Sequence, residues 1–217
     1  MDEERRLFDT EELRIDAGSD GKTRISGLAV PYNRASQNLG GFTEQIMPGA
    51  FADTLGSKAE VFADIEHDLG KKLARRSNRS LELYDSADGL RFTMTLPDTS
   101  VGKDTAEEVR NGLLDGVSVV FRDAKADWGK AGAEMVRRVT KATLRAVSLT
   151  SIPAYQQTVG TLTMRSLDEA RQAAEAAEMA AEKAASEAEA ARIAAEKPVE
   201  SLEILHKRLD LAMAENH

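Results

Sequence analysis

Proton transfer near neutral pH is the natural work of histidine, and this sequence has three: His67, His206 and His217. His206 lies in a C-terminal amphipathic stretch, and His217 is the last residue, where chains are usually poorly ordered. His67 closes an alternating run. Val61, Ala63, Ile65 and His67 share one face if the strand continues, with Phe62, Asp64, Glu66 and Asp68 on the other. That position suits a general base at the rim of a barrel, and equally a hydrogen-bonded structural histidine. The candidate nucleophile is Ser118, inside the apolar segment Gly112 to Phe121, on the side of Gly116 and opposite to Val117 and Val119. A strand-borne hydroxyl held beside a base is the geometry nucleophilic catalysis needs; a satisfied core serine is the competing reading. Ser148, within Leu144 to Leu149, is a second strand serine, and spacing alone does not decide which of the two meets His67.

Several other chemistries are excluded. The absence of cysteine removes disulfides, thiolate zinc sites, iron–sulfur clusters and thiol nucleophiles, and fits a reducing compartment. Three scattered histidines make a multi-histidine metal site improbable, so neither metal nor cofactor is expected. Gly40-Gly41 and Pro48-Gly49 are isolated turn signals, and neither a phosphate loop nor a dinucleotide fingerprint is present. Val120 stands where the Gly-x-Ser-x-Gly elbow of α/β-hydrolases would need its last glycine. No carboxylate has the isolated apolar context of a buried catalytic acid, so paired-carboxylate hydrolysis has no support. With 29 Lys+Arg against 37 Asp+Glu, the net charge of −8 repels phosphate, which disfavours nucleic acid and anionic membranes as partners. The charged start, Met1 to Arg6, leads into no apolar run, and no window approaches the roughly 18 apolar residues of a spanning helix. The expectation is a soluble protein that stays where it is made.

The elements that must position these residues fall in two regions. The 217 residues allow one ordinary domain plus an appendage. Residues 1–164 hold all ten aromatics and nearly all Gly and Pro. Strands are expected at Ile25 to Val30, Val61 to Ile65, Leu81 to Tyr84, Leu90 to Leu96, Val117 to Phe121 and Leu144 to Leu149, with Ser86 to Gly89 as a hairpin turn. Helices are expected at Pro48 to Leu55 and Ser100 to Leu114. Trp128, in the charged stretch Asp123 to Lys130, reads as part of an exposed loop. This pattern predicts an α+β domain with a mostly antiparallel, barrel-like sheet and a few flanking helices. Residues 165–217 form the second region, a helical tail. Ser166 to Lys197 is Ala/Glu-rich and predicts one long helix, with Ser166 and Glu169 as a capping box. Pro198 should interrupt it before a shorter amphipathic helix carrying Leu202, Ile204, Leu205, Leu209 and Leu211. So Ala-rich a seam buries little area, and the tail reads as a solvated arm or a weak, scaffold-like assembly element.

The ordered segments carry more than their pattern. They are Gly27 to Asn33, Phe42 to Phe51 with Pro48-Gly49-Ala50-Phe51, and Ile65-Glu66-His67-Asp68, followed by Asp88 to Phe92, Gly112 to Phe121 and Val147 to Tyr155. Together, across Thr23 to Gln157, the set resembles the prohead serine proteases of tailed bacteriophages, which are similar in fold to the herpesvirus assemblins. The resemblance implies Ser118 as nucleophile and His67 as its general base, with Ser148 a strand residue rather than the attacking group. It also implies an acidic residue two positions before Ser148, where this chain has Ala146. Asp64, Glu66 and Asp68 are the loose candidates for that role, and a Ser–His pair working with water is the alternative. The turn at Pro153-Ala154-Tyr155 is a candidate source of oxyanion donors.

The implied activity is cleavage of capsid scaffold or capsid-protein segments, and of the protease itself, inside the prohead in the bacterial host cytoplasm. The implied partners are the major capsid protein and scaffold segments, with self-association through a dimer or the C-terminal helix. Residues 166–217 would then help package the enzyme and be cut away by it. Two other readings stand beside this one. The first is a protease-fold assembly or scaffolding protein whose catalysis has decayed, as Ala146 suggests. The second is a hydrolase of small esters or amides.

Overall fold

The structure is a computed structural model that describes residues 3–8, 13–151, 161–196 and 202–214. Its first strands are β1 (Glu3–Phe8), β2 (Arg14–Ala17), β3 (Thr23–Pro31) and β4 (Phe42–Ile46), followed by the short helix α1 (Ala52–Gly56). Next come β5 (Phe62–Ile65), β6 (Asp68–Arg75), β7 (Leu81–Asp85), β8 (Gly89–Thr95) and α2 (Ser100–Arg110). The domain closes with β9 (Gly116–Ala131) and β10 (Glu134–Thr150), and the tail holds α3 (Thr161–Glu196) and α4 (Leu202–Ala214). The class is α+β, as the alternating segments predict.

The strands form two sheets. One runs β1-β9-β10-β5-β6, with β4 also pairing β10, and the other runs β2-β3-β8-β7. Pairing is antiparallel except where β4 and β5 lie parallel to β10. The centre of the first sheet is the long β9–β10 hairpin, closed by a two-residue turn in which Gly132 takes a φ of 63°, open to glycine without steric cost. β-Branched and aromatic residues alternate inward along it. Val117, Val119 and Phe121 of β9 meet Val147 and Leu149 of β10 in the same core as Ala63 and Ile65 of β5 and Phe92 and Met94 of β8. α2 packs one side on this core through Val101, Ala106 and Val109. Thr99 caps it, its hydroxyl accepting from the Gly102 N–H.

Two local expectations need correction. Trp128 is in β9, not an exposed loop; its ring meets Phe42 edge-on at a centroid distance of 5.1 Å, because the hairpin runs on through the charged stretch. Ser166 does not cap the tail helix, which starts at Thr161; its hydroxyl donates to the Thr163 carbonyl at 2.9 Å and accepts from the Trp128 indole at 3.2 Å. β1, with its run of charges, was not among the expected strands and pairs with β9 along its length.

The chain divides into two compact units, residues 1–170 and 171–217. Within the first, Leu167 of α3 is fully buried against Leu39, Phe42 and Met135. In the second, Met179, Ile193, Ile204, Leu209, Leu211 and Met213 are all exposed, as an Ala-rich helix with few large apolar residues predicts. No helix among the described residues is long and apolar enough to cross a membrane.

Candidate active site

Strand register assembles one row of residues across the first sheet. Leu7 of β1 is opposite Ser118 of β9, Ser118 is opposite Ser148 of β10, and Ser148 is opposite Asp64 of β5. Directly opposed residues share a face with Cα atoms about 4.5–5.5 Å apart, so the two hydroxyls and the carboxylate stand side by side. This face is the reverse of the one that carries Val117, Val119, Val147 and Leu149 into the core. Ser118, Ser148 and Asp64 are nonetheless 3%, 0% and 1% exposed.

His67 reaches this row through a backbone device. β5 stops at Ile65, which pairs with Asp68 of β6, leaving Glu66 and His67 as the two central residues of a hairpin turn. Both take left-handed backbone, with φ of 52° and 60°. That is the conformation a type I′ hairpin turn demands, and it normally selects Asn or Gly. The strand therefore does not continue through His67, and the imidazole joins the Asp64 face rather than the Ala63 and Ile65 row. The turn is pinned to β10: the Glu66 N–H donates to the Leu149 carbonyl at 2.9 Å, and the Glu66 carboxylate accepts from the Ser151 N–H and hydroxyl, each at 2.6 Å. Non-glycine residues held at positive φ cluster at functional sites because surrounding structure must hold them there.

The imidazole is half-buried, and its Nδ1 lies 3.0 Å from the Ser148 Oγ. Burial pushes the His67 pKa below the ordinary histidine value, and the positive charge of Arg5 pushes the same way, against Asp64 and Glu66. Both effects favour the neutral ring, the form that can accept a proton. For Asp64, burial is the largest effect and raises the carboxyl above its usual range, against the Ser148 hydrogen bond and the charges of His67 and Arg5. Its Oδ1 is buried with no hydrogen-bond partner among the described residues.

Of the two serines, the structure joins Ser148 to His67. Ser118 donates its hydroxyl to the Arg6 carbonyl of β1 at 3.1 Å. It lies two strands over from β5, with Ser148 of β10 between it and His67 in the row. Of the three acids considered for the orienting role, only Asp64 is in the row. Glu66 is engaged with Ser151, and exposed Asp68 accepts from the Gly70 N–H at 2.7 Å. Ala146 lies on the same face one step along, opposite Val120 of β9 and Phe62 of β5, and brings no polar group. His206 is exposed on α4, while His217 and the Pro153-Ala154-Tyr155 turn lie outside the described residues. Sequence reasoning missed β1 altogether. The other face of that strand carries Glu4 and Arg6, which join Glu44 of β4 and Arg137 of β10 in a buried ring of ion pairs at 2.5–2.7 Å. No group of His, Asp and Glu among the described residues could hold a metal ion.

A family model described as the caudovirus prohead serine protease matches residues 9–173. No curated protein matches. Among solved structures, the capsid assembly protease gp21 of bacteriophage T4 is similar, with 11% sequence identity, a TM-score of 0.47, and coverage of 70% of this chain and 99% of that one.

Proposed function

The chain belongs to the caudovirus prohead serine protease family, and from that premise we propose that it is a serine endopeptidase of phage head maturation with Ser118 as nucleophile and His67 as general base. The observation that carries this reading is the row itself. A half-buried imidazole stands at one end of a strand-to-strand series of buried hydroxyls, next to a buried carboxylate. A nucleophile and an acid on rigid strands, with a base held in a turn pinned to them, are what acyl transfer needs.

The Ser118 hydroxyl loses its proton to His67 as Oγ attacks the peptide carbonyl carbon. The resulting oxyanion collapses, the C–N bond breaks, and His67 returns the proton to the leaving amine. Water then attacks the acyl-enzyme, its proton passing through His67, and the carboxylic acid product leaves with Ser118 restored. For this to proceed, the Ser118 hydroxyl must turn away from the Arg6 carbonyl. The substrates are scaffold and capsid-protein segments in the prohead within the host cytoplasm, and the enzyme's own chain. The exposed Ala/Glu helix beyond Ala170 serves as the packaging arm; a chain ending at Ala170 should then enter assembling shells less well than the full chain.

One observation favours a second reading. Ser148, not Ser118, is within hydrogen-bond distance of the imidazole, and would on that ground be the attacking group. Co-expression with the capsid protein, followed by mass measurement of the products, separates the readings. Fragments from the parent and not from His67→Ala or Ser118→Ala are expected. Fragments retained in Ser118→Ala and lost in Ser148→Ala would move the nucleophile to Ser148. Intact masses throughout would leave an assembly protein without catalysis, and ester turnover without fragments would leave a small-substrate hydrolase.

A further inference from the structure

We infer that Ser148 and Asp64 are positioning residues that fix the tautomer of His67: Nδ1–H donates to the Ser148 Oγ, and the Ser148 O–H donates to the Asp64 carboxylate. This inference rests on Ser118 as the nucleophile and adds to that reading the device that orients its base. Four observations point to it. The contact made by Ser148 is to Nδ1, at 3.0 Å. In a serine hydrolase the attacking hydroxyl and the orienting group occupy opposite ring nitrogens. A hydroxyl on Nδ1 therefore leaves the Nε2 lone pair as the one to receive a proton.

Second, a hydroxyl can donate and accept at once, and the only carboxylate in the row, Asp64, is the direct strand partner of Ser148. Third, both groups are essentially sealed from solvent, at 0% and 1% exposure, so water does not compete for these bonds. Fourth, Asp64 keeps a buried oxygen without a partner among the described residues. A buried carboxylate left partly unsatisfied is costly unless its charge is used. Ala146, one row along on the same face, offers no alternative orienting group. The groups facing His67 are Arg5 of β1, Asp64 of β5 and Glu66 of the turn itself, and Glu66 is committed to Ser151.

The arrangement lengthens the usual acid–imidazole contact by one hydroxyl. Asp64 stabilises the imidazolium through Ser148 rather than by touching it. The hydroxyl also holds the ring plane, as a neighbour does that both donates and accepts.

The test is nitrogen NMR on the full chain labelled at histidine, with His67→Ala assigning one of three signals. The expected signal shows Nδ1 protonated and Nε2 bare in the neutral ring. Ser148→Ala and Asp64→Asn should each turn this into a mixture of tautomers, while Ser148→Thr, which keeps the hydroxyl, should preserve it. In parallel, Asp64→Asn should lower kcat by about 10²–10⁴-fold with KM little changed. Should Ser148→Ala fail to fold, Asp64→Asn and Ser148→Thr still decide. An unchanged tautomer in Asp64→Asn overturns the relay while leaving the peptidase reading intact. A nucleophile-directed adduct found on Ser148 would overturn the peptidase assignment of Ser118 and the relay with it.

Discussion

Two buried polar clusters lie on opposite faces of the β1–β9 pair, and they are built to different standards. On the core face, Glu4, Arg6, Glu44 and Arg137 form a closed ring in which each carboxylate binds both guanidinium groups. Arg137 Nε is the one buried atom of that ring without a hydrogen-bond partner among the described residues. Burial alone would raise the Glu4 carboxyl, yet Arg137 and Arg6 hold it below its usual value. On the other face, Asp64 is pushed up, His67 is pushed down, and a carboxylate oxygen of Asp64 has no hydrogen-bond partner among the described residues. The first cluster is nearly saturated and fixes β1 in register. The second is left with unused bonding capacity and a strained turn. In the first cluster the partners displace Glu4 toward its charged form, which holds structure; in the second, burial displaces Asp64 and His67 toward their neutral forms, the pattern of groups available for proton transfer.

The largest expected effect breaks the second cluster without touching the first. Ser118→Ala or His67→Ala should lower kcat/KM by at least about 10⁴-fold, with the midpoint of chemical denaturation almost unmoved. Next is the converse: Glu44→Ala leaves two guanidinium groups short of a buried partner and should cost about 3–5 kcal/mol of unfolding free energy by urea titration. Replacing all four charges with well-packed apolar residues should cost far less, since it also removes their desolvation. The same ring sets an acid limit. Because Glu4 is depressed in the folded state, its stabilisation is complete above the ordinary glutamate range and is lost as pH falls through the folded value.

A smaller effect links the two faces through β1. Arg5 lowers the His67 pKa, so Arg5→Gln should raise it, and the acid limb of the pH–rate profile should move to higher pH. Asp64 acts in the opposite sense, so Asp64→Asn should move that limb to lower pH. Smallest is a gain. His67 sits at a φ of 60°, and His67→Gly should stabilise the inactive protein by about 1 kcal/mol in thermal or urea unfolding.

The sheet was legible where burial follows side-chain polarity. Val117 to Phe121, Leu144 to Leu149 and the β7–β8 hairpin announce themselves through apolar alternation. β1 gave no such signal, because it buries Glu4 and Arg6 by pairing them with Glu44, 38 residues from Arg6, and with the still more distant Arg137. β4 and β6 were likewise absent from the expected strands, although β4 carries Phe42 and Ile46 into buried positions. Both candidate serines and His67 were picked out by residue type and strand context. Which serine touches the imidazole was not legible, since it depends on the positive φ at Glu66 and His67 and on the β5–β10 register. Asp64 was one of three loose acids for the same reason: only parallel pairing with β10 sets it beside Ser148.

The central claim is tested most directly by treating the purified chain with a fluorophosphonate, which phosphonylates an activated serine, and mapping the added mass by peptide sequencing. The account predicts one adduct, on Ser118, that disappears in His67→Ala and forms far more slowly in Asp64→Asn. Labelling confined to Ser148, or equal labelling of the parent and His67→Ala, would contradict it.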